Sequence, residues 1–450
     1  ENKYNIGTFL KFPLNELNEN KSINEIRLKI KIDKEDINKD IYFLGNKYYD
    51  TEEEEFIECK DILNELNNNN IEILIDGNNY EYKKYFKPKE AKEYNIKLKF
   101  KENLKDCSYM FSGCENIIKI NINEFSTKDV TNMKRMFNGC TNLKYLNLLS
   151  FITSNVIDMS GMFQYCKNLI ELDLSSFDTK NVINMESMFD SCEKLKNLDL
   201  SIFKTKNVTN ISYMFSKCKN LSNINISSFN TKNVINMRSM FNECNNLNNL
   251  DISSFNTENV TNMNCMFQCC ENVNKLDVSK FDTQKVTDIS YMFNKCQRLN
   301  YLNVSSFDTS KVTNMEGIFN NCKNIKVLEI SSFNTRHVTN MCYMFCGCNN
   351  INNLDVSSFD TNNVANMKNM FESCEALTSL NVSKFNTKKV TNMSFMFNGC
   401  KNINNLDVSS FDTGNVTNMK NMFESCETLT ALNVSKFNTI KVIDMSYMFN

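Results

Sequence analysis

From about residue 104 the chain repeats itself every 26 residues, without an insertion or a deletion, through to residue 450. Residues 305 to 330 read SSFDTSKVTNMEGIFNNCKNIKVLEI, and the next 26 read SSFNTRHVTNMCYMFCGCNNINNLDV. Phe recurs at 125, 151, 177, 203, 229, 255, 281, 307, 333, 359, 385, 411 and 437, and a Thr stands two places after each, from Thr127 to Thr439. A second Phe series runs from Phe111 to Phe449 and a Cys series from Cys114 to Cys426. So strict a period over 347 residues is the signature of a solenoid, whose units cover their apolar faces only by stacking on one another.

In the unit that begins at Phe307, Met315, Ile318, Phe319, Cys322 and Ile325 follow spacings of three, one, three and three, which place them on one face of a short helix. Asn314, with Asn132, Asp158, Asn184, Asn210, Asp288 and Asp444 at equivalent places, is expected as the N-cap. Asn324 is expected as the left-handed residue that ends the helix. Leu328 and Ile330 alternate with Glu329, the period of a half-buried strand. The prediction is an α/β repeat solenoid over 104–450, about thirteen rungs with one short strand and one short helix each. Its chain stops inside a repeat at Asn450, as a fragment or processed form would.

Residues 1–103 do not repeat. INEIRLKIKI and EYNIKLKFK read as strands, TEEEEFIECKDILNELN as a helix with an acidic start, and IEILIDGNNYEYKKYF as a hairpin around Asp76, Gly77 and Asn78. A small N-terminal α+β domain is expected, capping an end that would otherwise expose core and strand edges.

The unit LDVSSFDTxxVTNMxxMFxxCxN, as in Leu354 to Asn366 with Met370, Phe371 and Cys374, resembles the BspA-like leucine-rich repeats. These include the bacterial repeat class long known as a domain of unknown function in mycoplasma-like lipoproteins. The resemblance covers about three quarters of the chain. It implies a leucine-rich-repeat-like α/β solenoid and, in many members, a surface protein that adheres to host proteins or other cells.

Identical residues stack in columns. Phe177, Phe203, Phe229 and Phe255 belong to a core column. Thr179, Thr205, Thr231 and Thr257 are expected to satisfy turns by bonding backbone or one another, and a flat array that recognises ordered water or sugar is the alternative. Cys192, Cys218, Cys244 and Cys270 belong to a column that takes thirteen of the nineteen cysteines. They read as buried free thiols, because pairing along a column of thirteen leaves one out and distorts the rungs. Cys107 replaces a core Met. Cys265, Cys269, Cys342 and Cys346 fall at variable places, where CMFQCC and CYMFCGC imitate zinc spacing. Cys270 and Cys348 belong to the column, however, and no second ligand pair lies one rung away.

Between the two core residues of each strand runs a stripe of Asp173, Asp199, Asp251, Asp277, Glu329, Asp355 and Asp407, interleaved with Asn225, Asn303, Asn381 and Asn433. Its oxygens suit Ca²⁺ or a basic partner; a ladder of hydrogen bonds on the surface is the other reading. His337, beside Arg336, is the one histidine, and no GxGxxG, Walker or HExxH motif occurs. Neither catalysis nor a cofactor is expected.

Charge is balanced, 51 basic against 53 acidic residues, which argues against nucleic acid as the partner. No apolar run reaches the roughly 18 residues of a membrane span, and the start ENKYNIGTFLKF lacks the layout of a signal peptide. Variation gathers at turn pairs such as Lys206 and Asn207, Glu258 and Asn259, Arg336 and His337, and Lys388 and Lys389. The chain therefore reads as a non-catalytic adhesion or protein-binding scaffold for another protein or glycoprotein, at the cell surface or outside it, with the cytoplasm as the alternative. A structural subunit that assembles with its own copies into a fibre or layer is the second reading. Sequons at Asn207, Asn259 and Asn415 fall in predicted exposed turns, open to glycosylation on a eukaryotic secretory route.

Overall fold

The computed structural model describes residues 24–59, 62, 63 and 65–450; the ENKYNIGTFLKF segment and part of the expected acidic helix lie outside them. Nine strands come first: β1 (Glu25–Lys31), β2 (Ile41–Tyr42), β3 (Lys47–Asp50), β4 (Glu55–Glu58), β5 (Ile71–Ile75), β6 (Asn78–Tyr80), β7 (Tyr85–Phe86), β8 (Glu93–Phe100) and β9 (Ile117–Asn121). A five-stranded sheet runs β6-β5-β8-β1-β9 with antiparallel neighbours. Both expected strands are there, and the expected hairpin turns at Asp76 (φ 47°) and Gly77 (φ 83°), the left-handed pair of a type I′ turn. Strand β9 lies inside the first repeat, so the sheet grows directly into the solenoid. The acidic stretch is not helical: Glu55–Glu58 is strand β4, paired with β3. Among the described residues the helical content is one 3-10 turn, Lys34–Asp36, so the described part of the segment before the repeats is a β structure rather than α+β.

The repeats correct the expectation of an α/β solenoid, because no rung contains a helix. The apolar residues of the expected helix are buried, with Met315, Ile318, Phe319, Cys322 and Ile325 fully covered, but the backbone between them is a series of tight turns. Two residues per rung hold positive φ, for example Gly317 (56°) and Asn321 (56°), then Tyr343 (58°) and Gly347 (69°). A right-handed helix cannot contain them. Their effect is to turn alternate peptide groups along the solenoid axis. Met315, Gly317, Phe319 and Asn321 donate their amides to the carbonyls of Asn340, Cys342, Met344 and Cys346 in the next rung, while Ile318, Asn320 and Cys322 donate back to Met315, Gly317 and Phe319. Asn314 is no N-cap; its Oδ1 accepts the amide of Glu316, two residues on, in an Asx turn. The left-handed residue falls at Asn321, not Asn324.

Short parallel strands follow in register, as Tyr301↔Val327 and Leu302↔Leu328. Inside, the Phe111-to-Phe449 series forms one stack, with ring centroids 5.4–5.9 Å apart and interplanar angles of 2–18°. Axial hydrogen bonds fix the register and the stack fills it, so removing a central ring should be felt on both sides. Phe319→Ala should cost about 3–5 kcal/mol, whereas Ile235→Ala, at a side chain 50% exposed, should stay within about 0.5 kcal/mol. Urea titration followed by circular dichroism checks both.

Candidate functional site

Each predicted site residue has a definite place on the rung. Phe177, Phe203, Phe229 and Phe255 are core, at most 4% exposed. Thr179, Thr205, Thr231 and Thr257 are equally buried, and each hydroxyl bridges to the next rung. Thr231 Oγ1 donates to the Asn256 carbonyl at 2.7 Å and accepts the Asn256 amide at 2.8 Å; Thr179, Thr205 and Thr257 do the same to Lys204, Asn230 and Asp282. These hydroxyls are enclosed and fully engaged.

Cys192, Cys218, Cys244 and Cys270 donate their thiols to the carbonyls of Phe163, Phe189, Phe215 and Phe241 in the preceding rung, at 3.0–3.2 Å. All nineteen cysteines are free thiols. Burial pushes the Cys166 and Cys348 thiols up to about 12, and Cys265 and Cys342 also to about 12. Because the thiolate is the reactive form, iodoacetamide at about pH 8 should spare the buried column from Cys114 to Cys400 in the native protein and label all nineteen cysteines after denaturation. Peptide mass mapping of both samples tests this, and fast native labelling of the column would contradict it.

The acidic stripe lies on the strand face. Asp173, Asp199, Asp251, Asp277, Asp355 and Asp407 each accept the amide of the Ser two residues on, at 2.9–3.0 Å, so each carboxylate closes an Asx turn. Those serines hold Asp251, Asp277, Asp355 and Asp407 below the usual carboxylate range. Glu329 is exposed in the same column. Among the described residues no group of three or more His, Cys, Asp or Glu side chains converges to hold a metal ion. His337 is exposed at its turn.

The most elaborate polar cluster is one the sequence reading does not anticipate. Hairpin β3–β4 lies along the turn face as a strap. Its turn is made by Asp50, whose Oδ1 accepts the amides of Glu52 and Glu53, and Asp-Thr after an aromatic pair is the local signal for it. Ser112 donates to the Lys47 carbonyl at 2.6 Å. Asn138 reads Tyr49 from both sides, accepting its amide at 2.7 Å and donating to its carbonyl at 3.4 Å. The Tyr49 ring stacks on Tyr165 at 3.8 Å, and Phe56 packs edge-on to Tyr165 over Gly139, where a Cβ would stand 2.6 Å from the Phe56 ring. Thr51 donates to Asp190 at 2.7 Å, and Gln164 links Asn138, Thr51 and Asp190. Glu52 pairs with Arg238 at 3.1 Å and Glu54 with Lys217.

Burial raises the Asp190 carboxyl above its ordinary 3.8, against the bonds from Thr51 and Gln164. A carboxyl that holds its proton more tightly folded than unfolded makes stability fall as pH rises from the unfolded value through the folded one. Asp190→Asn keeps an acceptor for Thr51 and removes the titration. Its melting temperature should gain on that of the wild type as pH rises from about 4 to 7, and parallel profiles in thermal melts would refute the link.

Stacked 26-residue rungs, closed by axial hydrogen bonds around side-chain columns, define a tandem-repeat solenoid. The chain belongs to the family described as "Mycoplasma protein of unknown function, DUF285", which matches residues 105–224, 219–302, 294–380 and 377–450. No curated protein matches it. Among solved structures it is similar to the crystal structure of a TLR13–ssRNA13 complex, at 18% identity and a TM-score of 0.23, over 68% of this chain and 45% of that one; the chain thus spans less than half of that chain's length. Among the described residues no helix is long and apolar enough to cross a membrane.

Proposed function

We propose that the protein is a non-catalytic scaffold that binds another protein or glycoprotein through its solenoid surface, displayed at the cell surface in the manner of the BspA-like repeat proteins it resembles. The observation that carries this reading is the division of labour within the rung. The apolar, Thr and Cys columns of the core scarcely change along the chain, while the strand-face column outside them varies in charge, size and polarity. The strand-face column runs Tyr145, Glu171, Asn197, Asn223, Asn249, Lys275, Tyr301, Val327, Asn353, Ser379 and Asn405, and within it Tyr145, Tyr301 and Val327 are 60%, 61% and 47% exposed. Tyr301 and Val327 are direct neighbours in register. Exposed aromatic and aliphatic side chains on a rigid sheet are the anchors that protein interfaces favour.

Residues 1–103 serve in this reading as the cap of the repeats over 104–450, supported by the amides of Gly45 and Asn46, which donate to the Met110 and Ser112 carbonyls of the first rung at 2.9 and 3.3 Å. Gly45 is required there, since a Cβ would stand 1.9 Å from the Tyr109 oxygen.

The test is biolayer interferometry of the full chain against immobilised extracellular-matrix glycoproteins. Saturable binding is expected, weakened at least about tenfold, or about 1.4 kcal/mol, by Tyr301→Ser with Val327→Ser. Binding that never saturates, together with concentration-dependent filaments in light scattering, would replace the scaffold with a self-assembling fibre.

A further inference from the structure

The side chains that hold the strap belong to a column that continues beyond it. Ser112, Asn138, Gln164 and Asp190 stand 26 residues apart, and the next members are Ser216, Asn242, Gln268 and Asn294. Under the strap the first two members read extended backbone, Ser112 at the Lys47 carbonyl and Asn138 at the Tyr49 amide and carbonyl, because residues two apart in an extended strand share a face; the next two, Gln164 and Asp190, bond the Thr51 hydroxyl. The bidentate pair between Asn138 and the amide and carbonyl of Tyr49 takes no information from the Tyr side chain, so any extended segment can make it.

Beyond the strap the same atoms are buried without partners. Ser216 Oγ, Asn242 Oδ1 and Asn294 Oδ1 have no hydrogen-bond partner among the described residues, with Ser216 and Asn294 only 0% and 6% exposed. Buried amide oxygens are costly to leave unpaired, and the place of Asn242 and Asn294 in the column is that of Asn138. A charge repeats as well. Lys217, which pairs with strap Glu54, has its equivalent three rungs on in Lys295, which is exposed and has no carboxylate partner among the ion pairs of the described residues.

We propose that the column from Ser216 to Asn294 is a docking groove for an extended, carboxylate-bearing strand of a partner protein, its backbone read by Asn242 and Asn294 and its carboxylate by Lys295. This goes beyond the scaffold reading above, whose anchors lie on the strand face, by adding a second surface on the turn face and the chemistry of its partner. The strap is the intramolecular example of such an occupant, seated on the uninterrupted first part of the same face.

The test uses the full chain and a fluorescein-labelled peptide of the strap's own sequence, KYYDTEEEEFIE, followed by fluorescence anisotropy. Saturable binding is expected, weakened at least tenfold both by Asn242→Leu with Asn294→Leu and by Lys295→Glu. Lys295→Glu alters an exposed side chain, so the experiment stands even where the double variant fails to fold. Peptide methylated at the amide equivalent to that of Tyr49 should bind at least tenfold more weakly. Absence of saturable binding, or binding indifferent to these variants and lost with Asn138→Leu, would overturn the groove. Dimerisation of the full chain that disappears in the same variants would overturn the heterologous partner in favour of a second copy. Retained, Tyr301-dependent binding to glycoproteins alongside any of these results would leave the scaffold reading standing and the groove refuted.

Discussion

The hydrogen bond from a turn amide to the carbonyl of the following rung is the interaction on which the rest of the molecule depends. It is made by every second residue, at four places per rung, as at Met315, Gly317, Phe319 and Asn321. Two left-handed residues per rung make it possible, and most of them are not glycine: Tyr109, Ser187, Lys217, Cys265 and Asn369 all carry φ between 53° and 57°. Non-glycine residues hold that conformation at a cost of about 1–2 kcal/mol each, which persists only where the surroundings enforce it. Here the enforcement is the ladder itself, so no rung is stable alone and each becomes stable between two others.

The ladder is also polar. In the turns these amides point to the following rung and their carbonyls to the preceding one, against a single amide beside them, as Thr313 to Thr287, that points back, so the turn dipoles add along the axis. The first rung is therefore left with carbonyls that need donors, and Gly45 and Asn46 supply two of them. The side-chain columns follow from the same register. Identical residues arrive one above another, which lets Phe rings stack, lets Thr bridge two peptides, and lets each Cys give its weak thiol donor to a Phe carbonyl whose other bond is already made. Once these columns are fixed, variation falls to the remaining ones, the strand face and the polar column beneath the strap.

Much of this was legible in the sequence, and the failure is instructive. The period, the buried residues Met315, Ile318, Phe319, Cys322 and Ile325, and strands β1 and β8 follow from spacing alone. The helix did not survive, because apolar residues at three, one and three are shared by a short helix and by consecutive tight turns whose side chains face one core. The discriminating signal was glycine. Of ten glycines in the chain, six fall at the two left-handed columns, Gly161 and Gly317 in one and Gly113, Gly139, Gly347 and Gly399 in the other. A helix interior would disfavour glycine at both places. The strap was illegible for another reason: its partners lie up to 186 residues away, beyond any local pattern.

The strap changes what the repetition means. A column with no role beyond the surface would be free to carry any polar residue, and burial would be avoidable. Instead Asn138, Gln164 and Asp190 are fully buried beneath β3, and Asp190 is a carboxyl whose desolvation opposes its ionised form. Such a residue is tolerable only because Thr51 and Gln164 bond it, so the strap is needed by the rungs as much as it needs them. The same logic extends along the column to Asn242 and Asn294, whose oxygens are as enclosed as those beneath the strap and lack what the strap provides. A face that is covered for part of its length, and beyond it keeps amide oxygens without partners, is organised for a second segment of extended chain.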